Sequence, residues 1–516
     1  MSTTGLPHVW PTVVHMLWDA ARCAPDHPAL VCDEVSLTYE EYANAAGRLA
    51  QALVASGAGP GGRVATLMDN SAEAAVAIYG VLAAGAQVVP LNPRYTAAEL
   101  APILADAEPS AILYDDALEP LVAAAGAAAL VRLPVGLGGS DDPRAGKSGA
   151  EPVRPGPADL AILQYTGGTT GRAKGVDLTH GAVSVNLSQR EVPLPSAPGD
   201  RVLVITPLFH SYATAMGLFL APYRRGTLYI SRRFDAAATL RSIAQHRISF
   251  FSASPAALKA ILREPGFAAA DFSSLRVCSS GSAPLDADTL QQWEDVTGCP
   301  ICEGYGQTEA GPVLTFNPAT GPRRPGGVGP PLPETEISIV DTEAGEREMP
   351  VGEAGEIRAR GPQVMRGYSG QPAETAKALR GGWLYTGDIG RVDAEGYLEI
   401  CDRKKDMVVT AGYNVYPREV EDALRMHQGI GDAAVVGVAD ERRGEMLVAF
   451  VVAQGEGLRA AMVMEHIEGR LAKYKWPRDI VFIESLPRTS VGKIDKVRLR
   501  ALAAGSSAPL QEPDEG

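Results

Sequence analysis

The sequence predicts an α/β protein: a large N-terminal domain of doubly wound sheets with a β-barrel-like subdomain, then a small mobile α+β C-terminal domain. Three features carry that expectation. Short apolar runs at 63–67, 87–91, 202–206, 227–230, 248–252 and 275–278 alternate with helix-length segments, the pattern of a largely parallel sheet with helical crossovers. After about 326 the texture changes to short strands at 336–340, 355–359 and 397–401, punctuated by Gly and Pro, as in an antiparallel unit. The tetrad Arg403-Lys404-Lys405-Asp406 then interrupts the pattern. Beyond it, helices at 417–427 and 459–473 mix with strands at 433–438, 447–453 and 479–483. The expected division is a large domain at 1–402, a hinge at 403–406, a small domain at 407–505 and a disordered tail at 506–516.

Three early helices carry capping-box chemistry at their starts: Thr38 with Glu41, Asn70 with Glu73, and Thr96 with Glu99. The apolar stretch 72–91 contains Glu73, Gly80, Gly85 and Gln87, so it reads as a buried helix running into a strand and not as a membrane span. Residues 136–158, rich in Gly, Pro and charge, read as an exposed loop.

With 516 residues and 46% apolar composition, the chain can bury the cores of two to four domains. A net charge of −14 opposes nucleic acid and anionic membrane as partners, because both select clustered Lys and Arg. Within Met1 to Leu30, Trp18, Asp19 and Arg22 break any apolar core of a secretory signal, so a cytoplasmic protein is expected. The six cysteines fit a reducing compartment, and Cys299-x-x-Cys302 has no second Cys or His pair nearby to complete a metal site.

The stretch with the most chemistry is 161–176. Ala161-Ile162-Leu163 leads a strand into Thr166-Gly167-Gly168-Thr169-Thr170-Gly171, followed by Lys174 and a second apolar segment from Val176. Without Cβ atoms, Gly167, Gly168 and Gly171 can turn their amides toward anionic oxygens; Thr166, Thr169 and Thr170 add hydroxyl donors and Lys174 adds charge. This is the pattern of a phosphate cradle, with a plain Gly-rich hairpin as the alternative. A Walker-type loop is excluded, since Ala173 precedes Lys174 and Val176 and Leu178 alternate as a strand where a helix would be needed.

Further motifs follow in order: Pro207-Leu208-Phe209-His210, Gly281-Ser282-Ala283-Pro284-Leu285, Gly304-Tyr305-Gly306-Gln307-Thr308-Glu309, and Trp383-Leu384-Tyr385-Thr386-Gly387-Asp388. After them come Asp402-Arg403-Lys404-Lys405-Asp406, Gly412-Tyr413-Asn414-Val415-Tyr416-Pro417 and Pro487-Arg488-Thr489-Ser490-Val491-Gly492-Lys493. In this order, over roughly 30–500, the chain resembles the adenylate-forming superfamily, and within it the acyl-CoA synthetases. Gln164 to Gly168 and Phe209 to Tyr212 most resemble bacterial medium- or long-chain fatty acyl-CoA ligases.

The resemblance implies an AMP-forming acid–thiol ligase that makes acyl-AMP and pyrophosphate from a carboxylic acid and ATP, then acyl-CoA and AMP. ATP, Mg²⁺ and coenzyme A are the implied small molecules. Lys493 corresponds to the lysine that bridges the attacking carboxylate and the α-phosphate, where two anions must be brought together. Glu309 and Thr170 correspond to the Mg²⁺ ligands. Tyr305 corresponds to the ring that stacks on adenine, with Gly281, Ser282 and Ala283 lining the purine pocket and Gly306 and Thr308 beside the nucleotide. Asp388 and Arg403 correspond to the ribose partners, Lys405 to the hinge, and Gly412, Tyr413 and Asn414 to the wall that clears the pantetheine arm. His210 corresponds to the gate of that tunnel.

Three positions depart from the family pattern: Gly167 replaces a common Ser, Ala173 a common Pro, and Val409 a polar residue after the hinge. No Asp follows Phe209 and Glu303 stands where an Arg is expected for a dicarboxylate, which disfavours amino-acid and malonate-type substrates. The small or apolar Ala213, Met216, Ala310 and Gly311 suit a fatty tail, with an aryl acid as the alternative. The same motifs are compatible with an acyl-AMP ligase that loads a carrier protein's phosphopantetheine, with a luciferase-like oxidative use of the adenylate, and with a non-catalytic nucleotide-binding protein. A homodimer is left open.

Overall fold

Two sheets with parallel centres carry the front of the chain. In the computed structural model, which describes residues 5–127, 130–132, 152–166, 173–410, 413–440, 443–455, 457–488 and 494–505, the first runs Thr315–Phe316, Ile301–Tyr305, Val277–Ser280, Phe250–Ala253, Arg201–Val204, Thr227–Ile230, Pro28–Cys32, Val35–Thr38. Its inner strands pair in parallel, and only the pairs at the two edges are antiparallel. The second runs Gly367–Tyr368, Lys174–Thr179, Leu160–Thr166, Gln87–Leu91, Arg63–Leu67, Ala111–Tyr114, Val131–Arg132. Parallel strands need crossovers, and helices such as Ala72–Ala83 supply them.

That helix is apolar on every side. All of its residues except Glu73 are buried, and one core cluster joins them to Leu30, Val202 and Phe250 of the first sheet and to Val64, Val88 and Ile162 of the second. Tyr79 meets Tyr42 and Phe219 edge-on at centroid distances of 5.5 and 5.6 Å. The boxes at Thr38 and Thr96 are present with their reciprocal Glu41 and Glu99 contacts. The cap between them is Ser71 and not Asn70: the Asn70 amide donates to the Thr206 and Ser231 carbonyls and accepts from the Leu208 amide, so the neighbouring serine caps the helix.

Compactness divides the chain into two units. The first extends to Ile337 and includes Arg358–Tyr385 and Glu395–Leu398; the second comprises Ser338–Ile357, Thr386–Ala394 and the chain from Glu399. Strands of a five-stranded sheet, Glu336–Val340, Gly355–Arg360, Trp383–Val392, Leu379–Arg380 and Leu398–Arg403, contribute residues to both. The second unit also holds the sheet Tyr413–Val415, Val408–Thr410, Gly444–Ala453, Ile430–Asp440, with Asp479–Phe482 parallel to Gly444–Ala453. Alternate residues cover its two faces. Ala433 and Val435 pack with the helices Pro417–Arg425 and Ala460–Glu468, and Ala434 and Val436 pack with Leu499 of Lys496–Gly505. The helix expected at 459–473 ends at Glu468, where Gly469 follows and a separate 3₁₀ turn forms at Lys473–Lys475. The loop expected at 136–158 and the tail at 506–516 lie largely or wholly outside the described residues.

His180 opens the helix His180–Arg190, is fully buried, and has neither ring nitrogen hydrogen-bonded. Burial pushes its pKa down to about 4, with Asp159 opposing the shift. The unfolded imidazole gains a proton near 6.5 and the folded one does not, so stability present above 6.5 is lost as pH falls toward 4. The loss should reach about 3 kcal/mol. Denaturant midpoints between pH 7 and 4.5 check this, and His180→Leu should flatten that part of the profile. An equally steep profile in the variant would contradict it.

Candidate active site

The cradle's flanking strands, Leu160–Thr166 and Lys174–Thr179, pair antiparallel with Thr166 opposite Lys174. Gly167, Gly168, Thr169, Thr170 and Gly171 lie outside the described residues, as do Gly412 and Lys493. What surrounds the cradle's exit is described, and it includes groups that the motifs did not point to. Lys174 Nζ sits 2.5 Å from Glu374 Oε2 and 4.9 Å above the Tyr368 ring. The Tyr368 hydroxyl donates to Glu309 Oε1 at 3.0 Å. A chain Glu374–Lys174–Tyr368–Glu309 therefore joins the cradle's lysine to the candidate metal carboxylate.

Local structure holds that chain in place. Gly367–Tyr368 adds as an edge strand to Lys174–Thr179, with Tyr368 opposite Val176. Thr375 of the helix Pro372–Ala378 accepts from the Tyr368 amide at 2.9 Å, which brings the adjacent Glu374 to the ammonium. Lys174, and then Lys377, hold the Glu374 carboxyl at a pKa of about 2, so it is ionised throughout the neutral range. Burial and the Glu309 carboxylate push the Tyr368 phenol well above its ordinary range, so it remains a donor. Tyr368 and Glu374 stand in Gly367-Tyr368-Ser369-Gly370-Gln371-Pro372-Ala373-Glu374; the tyrosine beside a glycine in that segment was the only local signal.

Other predicted residues gather in the same unit. Gln164 of the cradle strand donates to the Phe209 carbonyl at 3.1 Å, which holds the 207–210 segment. His210 caps the following turn, its Nδ1 accepting from the Tyr212 amide at 3.2 Å; that tautomer places the proton on Nε2. Ser211 and Thr308 share a hydroxyl contact at 3.4 Å, bringing the His210 segment to the turn Thr308–Ala310 that carries Glu309. Gly306 admits no side chain, because a Cβ there would meet the Pro312 carbonyl oxygen at 2.0 Å. Ser282 adopts φ +70°, a left-handed conformation uncommon for serine and frequent where strain serves a site. Gly281 beside it is buried, whereas Ser282 and Ala283 are exposed and Tyr305 is half-buried. Ala213 and Met216 border one small cavity, while Ala310 is buried in the same core and Gly311 follows in a left-handed turn. The Glu303 carboxylate accepts from the Leu285 amide at 3.0 Å, so it fastens the 281–285 turn to its own strand.

Within the second unit, Arg403 Nε lies 3.5 Å from the buried Asp388 carboxylate, and the Lys404 amide donates to the Gly387 carbonyl. Lys405 is exposed in the turn that follows. Tyr413 is exposed and stacks on Tyr474 at 4.5 Å, an aromatic pair that the motif at 412–417 showed only in part; Asn414 pairs through its backbone with Val409. Cys299 and Cys302 are buried with thiols pushed up to about 12, which makes them inert packing groups. Among the described residues no group of three His, Cys, Asp or Glu could hold a metal, and no helix is long and apolar enough to cross a membrane.

If Lys174 takes a phosphate, as the resemblance implies, Glu374 at 2.5 Å competes for its ammonium. Glu374→Gln should therefore lower the KM for ATP by about two- to fivefold, the scale of one partly exposed ion pair. Initial rates against ATP concentration check this; a raised KM would show that the pair positions the lysine instead of restraining it.

The model for AMP-binding enzymes matches residues 17–369, and that for the AMP-binding enzyme C-terminal domain matches 419–493. The chain is 36% identical over 536 residues to a long-chain-fatty-acid–CoA ligase of Bacillus subtilis (strain 168), covering 96% of each chain. It is 38% identical over 484 residues to a feruloyl-CoA synthase of an Amycolatopsis species, covering 93% of this chain and 96% of the other. ATP-bound MatB from Rhodopseudomonas palustris superposes with a TM-score of 0.88 at 34% identity, over 95% of this chain and 98% of that one. The anthranilate CoA ligase AuaEII, solved with anthranoyl-AMP, gives 0.88 at 28% identity, over 98% and 100%. With both domain models matched and relatives aligned along nearly its full length, the chain belongs to the AMP-binding enzyme family, the adenylate-forming acyl-CoA synthetases.

Proposed function

We propose that this protein is an ATP-dependent carboxylate–CoA ligase acting on a fatty or aryl acid, forming acyl-AMP and pyrophosphate and then acyl-CoA and AMP. The observation that carries this reading is the chain Glu374–Lys174–Tyr368–Glu309. It sets a cation and a carboxylate on either side of one phenol, beside strands that flank the Gly/Thr sequence in the chain. Joining a carboxylate to a nucleotide α-phosphate requires donors and cations fixed in advance, because reorganising water around two anions is what makes the uncatalysed step slow.

On this reading the cradle amides, with Thr166, Thr169 and Thr170, hold the phosphates, and Lys174 adds charge once Glu374 releases it. Tyr305 and Gly281 to Ala283 receive the adenine, and Asp388 and Arg403 receive the ribose hydroxyls. Lys493 bridges the attacking carboxylate and the α-phosphate. A magnesium ion takes one or two protein carboxylates and keeps phosphate and water for its other positions, so Glu309 with the Thr170 hydroxyl is a suitable donor set. The ion would neutralise charge on the triphosphate. Tyr368 orients the Glu309 carboxylate through its 3.0 Å hydrogen bond. For thioester formation Lys405 is the hinge, and Gly412, Tyr413 and Asn414 form the wall that admits the thiol past His210.

Pyrophosphate release across a panel of fatty and aryl acids, with CoA and a phosphopantetheine carrier protein compared as acceptors, tests the proposal. Release that depends on the acid, followed by CoA consumption and AMP formation, is expected. Transfer to the carrier alone would replace CoA as acceptor, and no release with any acid would overturn the ligase reading.

A further inference from the structure

Gln87 is the one polar residue of the strand Gln87–Leu91, and it is buried. Its amide is held from both ends: Arg63 Nε donates to Gln87 Oε1 at 3.1 Å, and Gln87 Nε2 donates to Asp177 Oδ1 at 2.7 Å. A guanidinium only donates and a carboxylate only accepts, so the amide has a single orientation and joins a cation to an anion. The rest of the guanidinium is engaged as well. Its Nη1 donates to the Ala107 carbonyl at 3.0 Å and its Nη2 to Ser369 Oγ at 2.6 Å. Ser369 is buried and stands 306 positions from Arg63, and neither residue belongs to any of the sequence motifs.

Ser369 ends a short strut, Met365 to Ser369, that runs between the turn carrying Glu309 and the strand carrying Lys174. The Met365 amide donates to the Glu309 carbonyl at 2.9 Å, the Arg366 amide to the Asp177 carbonyl at 2.9 Å, and the Ser369 amide to the Gly175 carbonyl at 2.8 Å. Within the strut, Tyr368 turns its ring to Lys174 Nζ and its hydroxyl to Glu309 Oε1. Gly367–Tyr368 is a two-residue edge strand with one neighbour, so side-chain anchors on either side of it fix where the phenol sits. One anchor is Thr375 on the Tyr368 amide, and the other is Arg63 on Ser369.

We propose that Arg63 is a positioning residue for the reaction: through Ser369 it fixes the strut, and with it the Tyr368 phenol that faces Lys174 and orients the Glu309 carboxylate. This rests on the ligase reading above, in which Glu309 serves the metal and Lys174 the phosphates. A carboxylate binds a cation well only when its oxygens are already aimed, so a group that aims it contributes without touching the cation. Arg63 suits this task because its rigid fork fills three directions at once; a lysine there keeps the charge and loses the directions.

Titration calorimetry of the full chain with ATP, once in Mg²⁺ and once in EDTA, tests this in the wild type, Arg63→Lys, Ser369→Ala, Tyr368→Phe and the double variant Ser369→Ala/Tyr368→Phe. The quantity read is the tightening of ATP binding by Mg²⁺, a ratio of Kd values within one preparation, so a misfolded fraction cancels. Arg63→Lys and Ser369→Ala should each cut that tightening by about 3- to 10-fold, less than the roughly 10- to 100-fold typical of a group bonded directly to a metal ligand. Tyr368→Phe should cut it at least as far, and Ser369→Ala should then add nothing, because its effect runs through the phenol. A merely structural role would weaken ATP equally in Mg²⁺ and EDTA and would add to the Tyr368 substitution. Either of those results, a tightening that both single variants keep, or a wild type that Mg²⁺ does not tighten would overturn the inference. If Arg63→Lys does not fold, Ser369→Ala decides. These outcomes leave the ligase reading standing, whereas a wild type that binds no ATP in either condition removes that reading beneath the inference.

Discussion

Lys493→Ala should lower acyl-AMP formation by roughly 10²–10³-fold, the scale for losing one donor fixed in place for a developing oxyanion. Transfer of the acyl group from supplied acyl-AMP to CoA should keep most of its rate. The asymmetry follows from the proposed hinge at Lys405, which withdraws Lys493 before the thiol attacks. Single-turnover measurement of each half-reaction decides it. Equal loss in both would mean that Lys493 serves both steps, and the two-orientation scheme would fall.

The next largest loss is expected from Glu309→Gln, about 10²-fold in adenylation. Glutamine keeps an oxygen to accept from the Tyr368 hydroxyl, which lies 3.0 Å from the native carboxylate, so local packing should persist. It removes the charge that a hard divalent cation requires. The Mg²⁺ concentration for half-maximal rate should therefore rise by at least tenfold, which a titration at saturating ATP measures. A full loss of rate with no change in Mg²⁺ dependence would place Glu309 outside the metal's coordination.

The fold was legible wherever local chemistry and global packing agree. Thr38 and Thr96 cap the helices they precede, and the strand-to-helix rhythm through 87–91 and 202–204 matches the parallel sheets. Asn70 and Ser71 are both good caps, and the choice between them came from partners at Thr206, Leu208 and Ser231 that no local window contains. The same limit applies to the site. The Gly/Thr segment and Gln307-Thr308-Glu309 are contiguous in the sequence and draw the eye as motifs, but the partner of Lys174 lies two hundred positions away. Likewise the hydroxyl contacts of Ser279 with Tyr212 at 3.3 Å and Ser252 at 2.7 Å join a helical turn to two parallel strands, none of which carries a recognisable pattern by itself. Glu303 was weighed for what it would do to a substrate, whereas its neighbour across the turn uses the carboxylate for backbone pairing.

The proposed reaction forms an acyl-adenylate intermediate before any thiol takes part. Incubating the enzyme with ATP, Mg²⁺, labelled pyrophosphate and a carboxylic acid, with CoA left out, measures it directly. The label should enter ATP only when the acid is present, because reversal of adenylation requires acyl-AMP on the enzyme. Absence of exchange with every acid that supports CoA consumption, or formation of ADP and phosphate in place of AMP and pyrophosphate, would contradict it.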